Sequence, residues 1–129
     1  METPDIAADL ITWLRAQLDE DERLAKAVPM VRWHHDVIPD RSGPDHVLLI
    51  GDRVVSAGYA EDDPLRPEEV GHIVRHQPSR ALAEVDSKRR ILAMVQRWLD
   101  AGYPTMDAAL WLLALPYADR PGYRDEWRP

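Results

Sequence analysis

Apolar residues near the N-terminus recur at the spacing of an α-helix and predict the first element of the fold. We expect this helix to run from about Pro4 to about Ala27, because Thr3 and Pro4 suit a helix start and Pro29 stops it. Residues 19–22 are all acidic, so this part is expected on the solvent side. The apolar stripe consists of Ile6, Leu10, Trp13, Leu14 and Leu18.

The middle of the chain switches to runs that are rich in β-branched residues and predict a three-stranded antiparallel sheet. Residues 31–38 mix β-formers with polar residues, as a partly exposed strand does. Residues 39–45 contain Pro, Asp, Ser and Gly and are expected to form a loop. Residues 46–50 and 53–57 are two further strands, and the Gly-Asp pair at 51–52 indicates a hairpin between them.

Helical spacing returns after residue 66 and predicts two helices in succession. The first opens at Pro67 and ends near Gln77. The next runs from Ser79, which is expected to cap it, to about Ala101, with Gly102 as its stop. The apolar stripe of this longer helix consists of Leu82, Val85, Leu92, Val95 and Leu99, with Ile91 and Trp98 beside it.

The C-terminal part is expected to contain a fourth helix and an irregular tail. Thr105 is the expected cap of a helix over residues 106–115, which is almost wholly apolar and is therefore expected to be buried. Residues 117–129 contain Pro, Tyr and Trp without periodicity. We expect this tail to lie along the body of the protein, held there by Tyr123 and Trp127.

These elements predict an α+β fold in which four helices pack with a small three-stranded antiparallel sheet. The helix-dominated chain of 129 residues is expected to form one domain over residues 1–129. Its expected parts are an N-terminal helix (1–28), an antiparallel sheet (31–57), a helical part (67–115) and a C-terminal tail packed on the body (116–129).

The composition restricts the classes of function. Apolar residues make up 45% of the chain, and five Trp and four Tyr replace the missing Phe. A formal net charge of −7 disfavours nucleic-acid binding through phosphates, because that mode needs a basic footprint. The lack of cysteine excludes disulfides, thiolate nucleophiles and thiolate zinc sites. With an acidic N-terminus and no long apolar stretch, we expect a cytoplasmic protein without a membrane segment.

The first candidate for a chemical site is the spacing Glu69-x-x-His72-x-x-x-His76. On a helix these three side chains lie along one stripe, and a carboxylate with two imidazoles suits a divalent metal such as zinc, iron or manganese. His46 is an expected further ligand if the sheet packs against this helix. The other candidates for that position are His34, His35 and Asp36. The alternative is that both histidines make ordinary hydrogen bonds, His76 near a helix C-terminus.

The second candidate is a basic group that could bind an anion. Arg80 lies near a helix start, where it could hold a phosphate or a carboxylate together with backbone N–H groups. The basic residues at 88–90 wrap around their helix and cannot all face one ligand. The alternative role of the group is salt bridging to Glu84, Asp86 and the acidic first helix. Its members are Arg75, Arg80, Lys88, Arg89 and Arg90.

Two long motifs resemble a family of small proteins from actinobacteria and their phages. One motif is HIVRHQPSR at residues 72–80, followed by Glu84 and by KRRIL at 88–92. The other is LLALPYADRPGYRDEWRP at 112–129, which is similar to the characteristic C-terminus of that family. The LDEDE run at 18–22 is similar too, whereas the hairpin region matches only loosely. The function of this family is unknown, so the resemblance implies no activity, cofactor or catalytic residue.

Two functional hypotheses follow from these observations. The first is a non-catalytic cytoplasmic protein-interaction or regulatory module, because no nucleophile frame, Walker loop or dinucleotide motif is present. Its interface is expected on the aromatic tail at Tyr117, Tyr123 and Trp127, and the stripe of the third helix is regular enough for a homodimer. The alternative is a divalent-metal-dependent hydrolase that binds its metal through His72 and His76, with Glu69 as third ligand or general base.

Overall fold

The computed structural model describes residues 5–40, 43–57, 65–103 and 106–129, and these residues form an α+β fold. The predicted fold class is confirmed, with four α-helices and a three-stranded antiparallel sheet over the described ranges. In chain order the elements are α1 (Ile6–Ala27), β1 (Trp33–Asp40), β2 (Gly43–Ile50), β3 (Arg53–Ala57), α2 (Pro67–Arg75), α3 (Pro78–Asp100) and α4 (Asp107–Ala114). Two 3₁₀ turns follow at Leu115–Tyr117 and Asp125–Trp127.

Contacts between residues divide the chain into two compact units. The first, here called the helical unit, consists of Met1–Leu24 and Leu82–Pro129. The second, here called the sheet unit, consists of Ala25–Ala81. The helical unit contains most of α1 and α3 together with α4, and the sheet unit contains the three strands and α2.

Apolar residues of α1 and α3 form the core of the helical unit, as their helical spacing predicts. Trp13 and Leu99 pack against this core from its edge, whereas Ile6 is 38% exposed. Burial of this apolar surface is the main source of stability for such a unit. Its fully enclosed members are Leu10, Ile11, Leu14, Leu18, Val85, Leu92, Val95, Leu110, Ala114, Tyr117 and Trp127.

Side chains and glycine define the ends of α1 and α3. Asp5 Oδ1 accepts the N–H of Ala8 at 3.0 Å, so Asp5 caps α1. The predicted cap Thr3 lies outside the described residues. At the C-terminal end of α3, Gly102 adopts a φ of +92° and the N–H of Tyr103 donates to the carbonyl of Trp98 at 3.0 Å. This is a Schellman motif, and it confirms Gly102 as the stop of this helix.

The sheet has the strand order β1-β2-β3 with both pairs antiparallel. The predicted hairpin is confirmed, since Gly51 between β2 and β3 takes a φ of +59°, which glycine adopts without strain. Val47 and Leu48 are consecutive on the central strand and point to opposite faces, and both are buried.

The loop predicted over residues 39–45 is wrong. Strand β1 extends through Pro39 to Asp40, and β2 already begins at Gly43. Pro39 and Pro44 lie directly opposite each other in this antiparallel pair. Opposite residues of an antiparallel pair alternate between hydrogen-bonded and non-hydrogen-bonded pairs, and a non-hydrogen-bonded pair does not use the N–H that proline lacks. Two prolines can therefore lie within strands where the composition alone indicates a loop.

Three helix predictions also need correction. Ser79 is the second residue of α3 rather than its cap, because Pro78 fits the first helical position and the carbonyl of Gln77 accepts the N–H of Arg80 and of Ala81. The second helix ends at Arg75, two residues before its predicted end near Gln77. The fourth helix is not wholly buried: it has one enclosed face, and Leu112 on the other is 61% exposed. Thr105 lies outside the described residues.

None of the helices in the described ranges combines the length and the apolar character that crossing a bilayer requires.

Candidate functional site

The candidate site lies on α2, whose first turn is fixed by backbone-directed contacts. Pro67 occupies the first helical position, and the carbonyl of Arg66 accepts the N–H of Val70 at 3.0 Å. The carboxylate of Glu69 accepts the backbone N–H of Arg66 at 2.8 Å, as the third helical residue does in a capping box. The Glu69 side chain is therefore engaged at the helix start.

Val70 and Gln77 position α2 within the sheet unit. The helix lies against β1 and β2, and Val70 is fully buried. The side-chain amide of Gln77 accepts the N–H of Trp33 at 3.1 Å and donates to the carbonyls of Trp33 at 3.3 Å and Val74 at 2.9 Å. One half-buried side chain therefore joins the start of β1 to the end of α2.

We expect Gln77→Leu to destabilise the protein by about 2 kcal/mol, since it removes these bonds and leaves half-buried backbone groups of Trp33 without them. Urea unfolding followed by circular dichroism measures this change. Gln96→Leu is the matched control, because Gln96 bonds only the neighbouring turn of its own helix, at Asp100, in the contacts described. Equal losses for the two variants would show that Gln77 has no special structural role.

One face of α2 and the start of α3 line an open cleft of about 430 Å³, here called the His–Arg cleft. His76 Nδ1 lies 2.7 Å from the carbonyl oxygen of His72, so Nδ1 carries the proton and Nε2 is the other functional atom. The two imidazole rings lie 4.3 Å apart at 33°. An NH group of Arg80 donates to the carbonyl of Arg75 at 3.1 Å, which holds this guanidinium at the rim. The cleft is lined by Glu68, Gly71, His72, Arg75, His76 and Arg80.

The three predicted metal ligands are only partly brought together. His72 and His76 adjoin, whereas the carboxylate of Glu69 is engaged with the backbone of Arg66. His46, the expected further ligand, lies on the sheet with its Nδ1 2.8 Å from Nε2 of His35. Over the described residues, no group of three or more His, Cys, Asp or Glu could hold a metal ion. The three-ligand hypothesis therefore has no geometric support here.

The predicted basic group separates into two parts with different contacts. Arg75 and Arg80 line the His–Arg cleft. Arg89 instead binds Glu22 and Asp19 of α1, and these hydrogen bonds raise its pKa above the ordinary value for arginine. Lys88 donates to the hydroxyl of Tyr117 at 2.9 Å. Lys88 and Arg89 therefore take part in packing of the helical unit rather than in one anion site with the other two.

The interface predicted on the tail does not agree with the burial of its residues. Tyr117 and Trp127 are 4% and 1% exposed and belong to the core of the helical unit, and Tyr123 packs against them. Trp13 Nε1 donates to the carbonyl of Pro121 at 3.2 Å and fixes this part of the tail on α1. Tyr117 and Trp127 therefore offer little surface to a partner and contribute to the core, whereas Tyr123 is only partly buried.

The sequence analysis does not predict the roles of two residues in this region, Gln77 and Glu68. Gln77 was expected only as the end of a helix, and no local pattern indicates its bonds to a strand 44 residues earlier. Glu68 lines the cleft in place of Glu69. Its position four residues before His72 was a usable signal, because residues four apart share a helix face, whereas Glu69 as third helical residue suits a capping box.

Comparisons with known proteins identify the family of this chain but no function for it. A family described as "Family of unknown function (DUF6221)" matches residues 7–129. No curated protein and no solved structure matches the chain. The family assigns neither a reaction nor a ligand, so the function of the chain remains unknown. Since the match covers nearly the whole sequence, the chain belongs to the DUF6221 family.

Proposed function

We propose that the protein is a non-catalytic interaction module that binds an amphipathic helix of a partner protein through α3. The observation that carries the proposal is an exposed apolar stripe on this helix. Ile91, Met94 and Trp98 are 37%, 44% and 45% exposed, although they lie beside the buried residues of the same helix. Apolar residues at spacings of three and four form one line, as in the seam of two packed helices.

Trp98 is the expected anchor of this surface. The ring of Tyr103 lies against it edge-on at 5.1 Å, a contact that accompanies the Schellman motif at the end of α3. This contact orients the indole but leaves nearly half of the side chain exposed. Tryptophan and methionine are enriched at protein interfaces, and a preoriented indole loses little entropy on binding.

Two arginines favour a partner helix with acidic edges over a second copy of this chain. Arg90 and Arg97 are seven residues apart and each precedes a stripe residue, so both lie along the same edge. In an antiparallel pair of two such helices, these edges would face each other and the like charges would repel. Glu or Asp at the edge positions of a partner would instead pair with Arg97 and with Arg90, which also pairs with Asp86 at 3.1 Å on its own helix.

A synthetic amphipathic helix of about three heptads, with leucine on its seam and glutamate at its edges, tests the proposal by fluorescence anisotropy. We expect it to bind more tightly than the same peptide with lysine edges. Trp98→Ala should weaken binding about tenfold, as for an interface anchor. The double variant Arg90→Glu with Arg97→Glu should reverse the preference to the lysine peptide.

Leu112→Ala is the control, because Leu112 is exposed on α4 and not part of the stripe. Equal binding of both peptides, or an unchanged affinity in Trp98→Ala, would contradict the proposal. A dimer in light scattering that Trp98→Ala dissociates would show that a second copy occupies the stripe, and would also contradict it.

The cellular setting belongs to the same proposal. We place the module in the cytoplasm of actinobacteria or their phages, which is where the motifs at 72–80 and 112–129 point by resemblance. The lack of cysteine supports a reducing compartment, since no disulfide is needed for the fold.

A further inference from the structure

We propose that the His–Arg cleft binds the phosphate group of a small phosphorylated molecule, at a site separate from the α3 stripe. The side chains that line the cleft include two guanidinium groups, two imidazoles and one carboxylate, that of Glu68. This charge balance favours an anion and opposes a metal cation, although the chain as a whole is acidic.

The fixed ring of His76 supports a phosphate ligand. Because Nδ1 donates to the carbonyl of His72, Nε2 is the atom of this ring that remains for a ligand. A protonated ring donates through Nε2 to a phosphate oxygen, and a neutral ring accepts from a phosphate hydroxyl. The ring of His72, tilted by 33° with its centroid 4.3 Å away, is expected to support this orientation.

Arginine chemistry and the size of the cleft define the ligand further. A guanidinium offers paired N–H groups that match two oxygens of one phosphate, and Arg75 lies on the same α2 face as His72. Arg80 is held at the rim by its bond to the carbonyl of Arg75. The volume of about 430 Å³ exceeds what a bare phosphate fills and lies in the range of small-molecule sites. The open cleft therefore has room for an organic group beside the phosphate.

Titration of the ¹⁵N-labelled protein followed by NMR tests this site with defined probes. We expect ribose 5-phosphate and inorganic phosphate to shift the amide signals of residues 68–80, and ribose alone or acetate to leave them unchanged. Arg75→Gln and His76→Gln should each lower the phosphate affinity about tenfold. Glu68→Gln should raise it severalfold, because it removes the opposing carboxylate.

Arg53→Gln on β3 is the matched control, since it makes the same change of charge at an exposed position outside the cleft. The proposal is overturned if phosphate shifts no signals in this segment, or if acetate binds as tightly as phosphate. It is also overturned if Arg53→Gln weakens binding as much as Arg75→Gln does. Weaker phosphate binding by Glu68→Gln, or zinc binding that Glu68→Gln abolishes, would show a cation site instead.

Discussion

Gly122→Ala is expected to destabilise the protein by about 3 kcal/mol. A Cβ atom at this position would lie 2.6 Å from Nε1 of Trp13 and 3.1 Å from its Cδ1. The indole cannot retreat easily, because Nε1 donates to the carbonyl of Pro121 and the ring packs against Trp127. The backbone adds strain, since Gly122 has a φ of +90°, where residues with a side chain are disfavoured.

Two other glycines separate the steric clash from the backbone strain. Gly102 also has a positive φ, but a Cβ there would meet nothing within 4 Å, so Gly102→Ala should cost only about 1 kcal/mol. Gly71 lies inside α2 with open space around it, and Gly71→Ala should stabilise by about 0.5–1 kcal/mol. Urea unfolding of the three variants measures these values, and a Gly122→Ala loss no larger than that of Gly102→Ala would disprove the clash.

Local chemistry was enough to predict the class of each element. Apolar spacing in α1 and α3 identifies most of the buried residues, although Ile6 is 38% exposed, and Gly102 marks the end of α3 through a positive φ that residues with a side chain rarely adopt. The loop over 39–45 was wrong because Pro39 and Pro44 pair with each other, which is a property of two strands rather than of either segment. Boundaries of this kind depend on partners that are distant in sequence.

The candidate site was predicted less well than the fold, for the same physical reason. Spacing along one helix places His72 and His76 side by side, and the structure agrees. Spacing cannot show that Glu69 is engaged by the backbone of Arg66 while Glu68 lines the cleft. Spacing also cannot predict which arginines form ion pairs elsewhere, because the carboxylates that bind Arg89 are about 70 residues away along the chain.

The irregular tail illustrates this limit most clearly. Its aromatic residues suit an interface by composition, yet Trp127 is enclosed by the protein itself. Arg120 and Arg124 hold the tail to α1 through Asp21 at 2.8 Å and Asp9 at 3.1 Å. The hydrogen bond that Arg124 donates to the carboxylate of Asp9 raises the pKa of Arg124. Acidic residues of α1 that look solvent-facing in the sequence are therefore partners of the tail.

Trp127→Ala is expected to cost about 4 kcal/mol, the largest effect of any single substitution considered. The indole is 1% exposed, and its ring centroid lies 5.4 Å from that of Trp13 and 5.7 Å from that of Tyr123. Three rings in mutual edge and tilted contact gain from their geometry as well as from burial. Removal of the indole leaves a cavity between α1 and the tail that rigid neighbours cannot fill.

Trp127→Phe tests whether shape or the indole N–H matters at this position. Trp127 Nε1 is buried without a hydrogen-bond partner in the described part of the chain, so phenylalanine removes an unsatisfied donor together with some apolar area. The expected cost is about 2 kcal/mol or less, because removing an unpaired buried donor offsets part of the lost packing. Trp98→Ala, at a half-exposed indole, should cost about 1 kcal/mol in the same urea experiment. If Trp127→Phe were as damaging as Trp127→Ala, the indole N–H would have to bind a partner such as ordered water, and the interpretation of Nε1 as an unsatisfied donor would be wrong.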